Sequence, residues 1–430
     1  MKHTITIITI ISLITTGALY SQQSLNFDDY FTDNTMRIDF YMIGDAHTES
    51  VTLDKIYRQG SWAGNPHHLI DPFNNGAYYV KVYDIATNNL IFSKGFNCIF
   101  FEYKTTSPAQ NGVAKTYHET ALIPYPKNPI LFVIEVRDKL NILHSTFIQK
   151  IEPDQISIIK EPPGSQDRVY SAQKTGSPHN KVDLAFLAEG YTTDQWGKFT
   201  SDVDRFAETL FAVEPFQSHK DKFNIYGVFR PSAQSGVDQP TRNTYANTIL
   251  DASFNALDTP RYMLPNNNPV MRDIASAAPY DAIVIIANTS RYGGGGIYND
   301  YCIFAADNTR SIQTCPHEFG HSFGGLADEY FSSAVAYNDM YPKGVEPTEV
   351  NITALLDPSN PKWKHLMDPG LEVPTIYNNS LAGKCGVFEG GGYAAQGLYR
   401  PMNNCIMRSG SMFCPVCRDA LIKMIEFYAN

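Results

Sequence analysis

His317-Glu318-Phe319-Gly320-His321-Ser322-Phe323-Gly324-Gly325-Leu326-Ala327-Asp328-Glu329-Tyr330 opens with the pattern H-E-x-x-H. On a helix, side chains four residues apart share a face, so His317 and His321 point their imidazoles at one metal ion. Glu318 sits one step round, beside the metal and not on it, where a general base is needed. Gly324 and Gly325 tolerate positive φ and offer a chain reversal after the helix. That reversal brings Asp328 back as a third ligand and leaves a fourth position open. Chance alone puts the pattern on an ordinary helix in about one chain in a hundred of this length. The glycine turn and the acidic residues behind it lower that figure further. The stretch reads as a zinc hydrolase site: one catalytic Zn2+ held by His317, His321 and Asp328, with Glu318 as the base.

The sequence before this stretch has α/β grammar. Val182–Ala188 is a short apolar run suited to a buried strand, and Thr192 with Gln195 makes a capping box for the helix that follows. That helix carries Trp196, Phe199, Val203, Phe206 and Leu210 on one face and is expected to stop before Pro215. Phe223–Phe229 and Asp281–Ala287 are two further strands, the latter apolar on both faces as in a covered central strand. Gly293–Gly296 reads as a flexible loop; without a Gly-Lys-Ser/Thr ending it is no phosphate loop. Ile297–Phe304 is then expected as an edge strand passing the metal, able to pair with an extended peptide. Pro316 fits the first turn of the metal helix.

Residues 24–160 read differently. Gly76–Asp84, Asn89–Phe92, Cys98–Tyr103 and Pro129–Val136 are rich in β-branched and aromatic residues, with a hairpin turn at Asp84–Asn89. Short strands without helical periodicity predict an antiparallel sandwich. His67-His68 and His118-Glu119 are expected as surface or sheet-facing polar residues, not ligands. A Pro, Gly and charge-rich stretch at 161–180 marks the linker, which leaves 181–430 for the catalytic domain.

The whole chain sets bounds on these readings. Its 430 residues are too many for one ordinary domain, and 43% apolar with 18% charged residues describes a folded protein. A net charge of −10 argues against a nucleic-acid partner. Residues 1–21 combine Lys2 and His3, an Ile-rich core and small residues, with cleavage expected after Ala18 or Ser21. This is the build of a signal peptide, too short to span a bilayer, so the mature chain is expected to be secreted, periplasmic or at the cell surface, with no transmembrane segment. Cys98 stands apart as a free buried thiol. Cys302, Cys315, Cys385, Cys405, Cys414 and Cys417 fall near the site and are enough for up to three bridges. Cys414-Pro415-Val416-Cys417, a lone C-x-x-C, is read as structural, whether as thiols or bridges, in preference to a redox or zinc-knuckle motif.

His317–Tyr330, together with Asp183–Tyr191, Arg400-Pro401 and Cys405-Ile406-Met407-Arg408, resembles the IgA-metallopeptidase family of secreted bacterial zinc peptidases. The resemblance runs from about Asp183 to the C-terminus and more loosely over the first half. It implies an α/β zincin catalytic domain, metzincin-like, behind a β-rich domain, with Met407 as the Met-turn residue beneath the metal. The chain departs from the metzincin pattern, since Ala327 occupies the usual third-ligand position and has no donor atom. Asp328, one residue on, is then the best third ligand and Glu329 the runner-up. No tyrosine stands two residues after Met407, so oxyanion stabilisation is open to Tyr330, Tyr393, Tyr399, Arg400 or Arg408.

The reading is therefore a zinc endopeptidase acting on extracellular proteins, immunoglobulin A or other host glycoproteins among them. Glu318 accepts the water proton and passes it to the leaving amine. The alternatives are a zinc hydrolase of a non-peptide substrate and a non-catalytic binding protein with a vestigial site; turnover of casein against small esters and amides separates them.

Overall fold

A computed structural model describes residues 25–160, 167–332 and 340–430. The segment expected as signal peptide lies outside the described residues, as do 161–166 of the expected linker.

The first region is built from two antiparallel sheets. Phe31–Gly44 is the centre of one, between Glu49–Arg58 and Lys115–Pro126; the other runs Leu90–Phe96, Tyr78–Asp84, Ile130–Arg137, Leu143–Ile151. Alternation decides which face each strand buries. Met36, Ile38, Phe40 and Met42 on one sheet and Tyr78, Val80, Val82, Phe132 and Ile134 on the other share a single apolar core. Cys98–Tyr103 is a correction: Ile99–Lys104 is helical. Phe100 and Tyr103 are both buried, three residues apart, a spacing that suits one face of a helix turn and not the alternation of a strand.

The second region is a mixed six-stranded sheet in the order Gly294–Ile297, Tyr301–Ala305, Ala282–Ala287, Val182–Glu189, Phe223–Phe229, Arg168–Gln173. The four inner strands are parallel and both edges are antiparallel. Arg168–Gln173 falls within the stretch expected as linker and is instead the far edge of this sheet. Both faces are covered, as their unbroken apolar runs require. Leu184 and Phe186 meet Phe199, Phe206, Phe319 and Leu421 on one side; Ala185 and Leu187 meet Met271 and Ile274 on the other. The helices involved are Trp196–Phe211, Ser311–Gly324 and Pro415–Ala429 on the first face and Asn268–Ala275 on the second.

Two further expectations change at the site. The edge strand is the glycine run itself, Gly294–Ile297, while Tyr301–Ala305 lies one strand inside. Pro316 lies in the helix interior and not its first turn, because the helix begins at Ser311. The hydrogen bond it forgoes belongs to Ile312, on the exposed side of that helix.

The two regions are locked together by buried polar contacts. Arg37, fully buried, pairs with Asp39 at 2.6 Å and reaches across to Asp273 at 2.5 Å. Asn75 Nδ2 donates to the carbonyl of Gly325 at 2.9 Å. His68 Nδ1 meets the carbonyl of Phe427 at 2.7 Å, so this histidine is a docking residue. His118 lies near Asp39, the partner of Arg37, and near Asp54. Among the described residues no helix is long and apolar enough to cross a membrane.

Candidate functional site

The glycine edge strand explains how the site helix comes so close to the sheet. A Cβ on Gly296 would stand 2.4 Å from the carbonyl oxygen of Glu318 and 2.9 Å from Cβ of His321. A Cβ on Gly294 would meet Glu318 Oε1 at 3.1 Å. Only glycine lets the backbone of the strand and the helix carrying His317, Glu318 and His321 approach in this way. At its other end the helix stops at Gly325, which takes φ of 58° and donates to the carbonyl of His321 at 3.0 Å. The chain then turns back towards the histidines.

This return brings Asp328 to the two imidazoles. His317 Nε2 and His321 Nε2 are 3.2 Å apart, and Asp328 Oδ1 lies 3.2 and 3.3 Å from them. Their other nitrogens are committed: Nδ1 of His317 donates to the carbonyl of Ile406 at 2.9 Å and Nδ1 of His321 to that of Leu326 at 2.6 Å. Those bonds fix the tautomer, leaving each Nε2 lone pair aimed at the same point as Asp328 Oδ1. Oδ1 is buried and has no hydrogen-bond partner. The donor set therefore fits a metal ion, and two imidazoles with one carboxylate are chemistry suited to zinc.

Charge points the same way. Burial acts against both imidazoles carrying charge, yet Asp328 overrides it and raises His317 to about 9, with His321 raised as well. Burial also opposes ionisation of Asp328, but His321 and His317 hold it well below the usual carboxylate range. Burial pushes Glu318 up, against the pull of both imidazoles. Such a cluster calls for positive charge at its centre, a proton or a cation.

Asp328 is held from its other side by Tyr393, whose hydroxyl donates to Oδ2 at 2.5 Å. Tyr393 has φ of 65°, a left-handed conformation costing a non-glycine residue about 1–2 kcal/mol. Main-chain bonds hold it there: Gly392 N–H to the carbonyl of Asp328 at 2.9 Å and Tyr393 N–H to that of Tyr330 at 3.0 Å. Beneath the helix, Met407 is fully buried, and its sulfur lies 2.7 Å from where a Cβ on Gly320 would stand. The turn that offers Ile406's carbonyl to His317 is thus also the turn that seats Met407.

The cleft in front of the imidazoles is lined by Gly294–Gly296, Glu318, Arg261, Tyr262, Tyr330, Tyr341 and Tyr393, with Asn97 and Glu102 from the first region. His317, His321, Asp328 and Glu318 thus come together. Glu329, the runner-up, is fully buried and turns away from the histidines, accepting from Asn351 Nδ2 at 3.0 Å and lying 3.2 Å from Cys417 Sγ. Of the five oxyanion candidates, Tyr330 and Tyr393 line the cleft. Tyr399 pairs with Glu389 in a hairpin and bridges to Thr353, Arg400 donates to the carbonyls of Glu389 and Gly390, and Arg408 donates to the carbonyl of Asn403. Arg261 and Glu102 carry no motif, and only the folded chain brings them to the cleft. Arg261 is raised despite burial by the charges of Tyr330, Asp328 and Glu318. All seven cysteines are free and buried, Cys98 as expected, so of the two structural roles left open for the other six they take that of thiols.

The family model described as IgA Peptidase M64 matches residues 171–382 and 376–425, more than half of the chain. A second, described as Peptidase M64 N-terminus, matches residues 26–148. No curated protein matches the chain.

Proposed function

The chain belongs to the IgA peptidase M64 family and is a peptidase; on that premise we propose that it is an exported, zinc-dependent endopeptidase with a metzincin-like catalytic domain. The observation that carries this reading is the triangle of His317 Nε2, His321 Nε2 and Asp328 Oδ1, each side 3.2–3.3 Å. Zinc held by these three supplies Lewis-acid chemistry, polarising a carbonyl and acidifying water. The mixed sheet with its glycine edge beside the site helix, and the Ile406–Met407 turn beneath it, support the metzincin-like fold.

The rest is done by the chain's own side chains. An extended substrate lies along the glycine edge, whose Gly294 end is already bridged by Tyr262. Glu318 takes the proton of the attacking water and returns it to the leaving amine. Tyr330 and Arg261 are the cleft-facing donors for the developing oxyanion, while Tyr393 orients Asp328. The signal-like residues 1–21 support export, and extracellular proteins are then the substrates. Immunoglobulin A, from which the family takes its name, is the first to test.

Purified protein should cleave denatured casein and a peptide library, and chelation should abolish cleavage. Glu318→Gln should keep the metal and the fold while losing activity roughly 10²–10⁴-fold, the range of general-base contributions. Cleavage by Glu318→Gln at the wild-type rate would remove Glu318 from the mechanism.

A further inference from the structure

On the far side of the Asp328–Glu329 peptide from the cleft, three cysteines converge. Cys405, Cys414 and Cys417 bring their sulfurs, with a carboxylate oxygen of Glu329, to within 4.8 Å of one another, and all four residues are buried. Cys405 Sγ and Cys417 Sγ are 3.8 Å apart. Tetrahedral zinc–thiolate bonds of about 2.3 Å give sulfur–sulfur edges of about 3.8 Å and sulfur–oxygen edges of about 3.5 Å. The sulfur–oxygen separations here are 3.7 Å from Cys414 and 3.2 Å from Cys417 to Glu329 Oε1. From these residues we infer a second, structural zinc site, Cys405–Cys414–Cys417–Glu329, distinct from the catalytic one and independent of the peptidase reading.

Two observations point to a cation here and not simply to packed thiols. Glu329 is fully buried, yet its Oε2 has no hydrogen-bond partner, and its Oε1 meets one nitrogen donor, Asn351 Nδ2, besides the sulfurs of Cys414 and Cys417. A buried carboxylate without a full set of donors carries a desolvation cost that a coordinated dication offsets. Main-chain N–H groups also turn towards the sulfurs: Cys417 N–H to Cys414 Sγ at 3.4 Å and Cys414 N–H to Cys405 Sγ at 3.5 Å. Cys414 is the N-cap of the helix Pro415–Ala429, so the positive end of a fifteen-residue helix faces the cluster. Three thiolates and a carboxylate around a dication leave two negative charges, which these donors spread. A disulfide between any two of the sulfurs would strand the third and leave the buried carboxylate with Asn351 Nδ2 as its one nitrogen donor.

The position gives the site a purpose. Glu329 N–H donates to the carbonyl of Met407 at 2.7 Å, so the ion would pin the residue after Asp328 to the turn carrying Ile406 and Met407. That same turn fixes the tautomer of His317. The lone C-x-x-C of the sequence thus gains its two missing partners from positions 9 residues before it and 85 residues before it.

The test is metal content and sulfur coordination in the full chain. Wild-type protein should hold two equivalents of zinc, and His317→Ala/His321→Ala should keep one. X-ray absorption on that variant should show zinc–sulfur scattering at about 2.3 Å. Its cobalt form should show a thiolate-to-cobalt charge-transfer band, which Cys414→Ser in the same background abolishes. If Cys414→Ser does not fold, the absorption spectrum of the histidine variant decides alone. Zinc lost with the two histidines, or found without sulfur, overturns the site. So does alkylation, in denaturant with chelator and read by peptide mapping, that leaves Cys405, Cys414 or Cys417 unlabelled until a reductant is added. Peptidase activity enters none of these readouts, so failure here and failure of the catalytic reading are separable.

Discussion

The hydroxyl of Tyr393 donates to Oδ2 of Asp328, leaving Oδ1 of the same carboxylate to face the two imidazoles. On the proposed reading, one oxygen is thereby held by the protein and the other left for the metal. Tyr393→Phe removes the orienting bond but keeps the ring against Tyr330, 5.5 Å between centroids. Zinc affinity at the catalytic site should fall about 10–100-fold, the usual cost of losing such an outer partner. Asp328→Ala should lose far more, since a charged ligand goes. Competition against a graded chelator measures both, and unchanged affinity in Tyr393→Phe would mean that the bond orients nothing.

Gly296→Ala places a methyl 2.4 Å from a main-chain oxygen of the site helix, where no rotamer change relieves the clash. The helix or the edge strand must shift. Displacements of about 1 Å in a catalytic constellation cost on the order of 10²-fold in rate. We expect kcat/KM to fall by at least that factor in protein that still folds. Peptidase kinetics with circular dichroism checks this, and near-normal kinetics would show that strand and helix do not need the close approach.

Much of this was legible in the chain. The strands Val182–Glu189 and Phe223–Phe229 and the capping box at Thr192 follow from local apolar runs and spacing, which the folded chain has no reason to override. The His317/His321 pair was readable because helical periodicity alone sets it. What escaped depends on long-range pairing. Gly293–Gly296 looked like a loop because glycine disfavours strands, but the partner strand and the helix crossing it demand residues without side chains. Glu329 looked like a spare ligand because only the turn at Gly325 and the C-x-x-C at the far end of the sequence decide which way it points. Arg261 gave no local signal.

Asp183 and Asp281 give the stability a pH dependence. Burial, and then the charge of Asp281, raises Asp183 to about 8; burial raises Asp281 to about 7, against a bond from the main-chain N–H of Asp183. A carboxyl whose folded pKa lies above its unfolded value binds protons more tightly when folded. Its contribution is therefore fully present below about pH 4 and is lost as pH rises through about 8. Asp183→Asn removes that titration and can keep the acceptor for Asn224 Nδ2, now 2.9 Å away. The variant's Tm should pull ahead of wild type as pH rises from about 5 to about 8. A constant gap across that range would show that Asp183 is ionised throughout.

Asn75 ties the first region to the C-terminal end of the helix that carries His317 and His321. Its Nδ2 donates to the carbonyl of Gly325 in a buried contact, and its Oδ1 accepts from Gly76 N–H at 2.8 Å. Asn75→Ala leaves the Gly325 carbonyl without that donor, a loss of about 1–3 kcal/mol where a buried group goes unsatisfied. At roughly 2–4 °C per kcal/mol for a unit of 150–250 residues, the Tm should fall by a few degrees. Gly325 is also the hinge that returns Leu326, whose carbonyl holds His321, and Asp328 to the site. Activity measured well below the melting transition should therefore fall too, and zinc should be released at lower chelator concentration. Asn75→Asp, which keeps the shape but sets a buried carboxylate oxygen against that carbonyl, should lose more than the alanine variant. Loss of Tm with full activity and zinc retention would confine Asn75 to docking and separate the first region from catalysis.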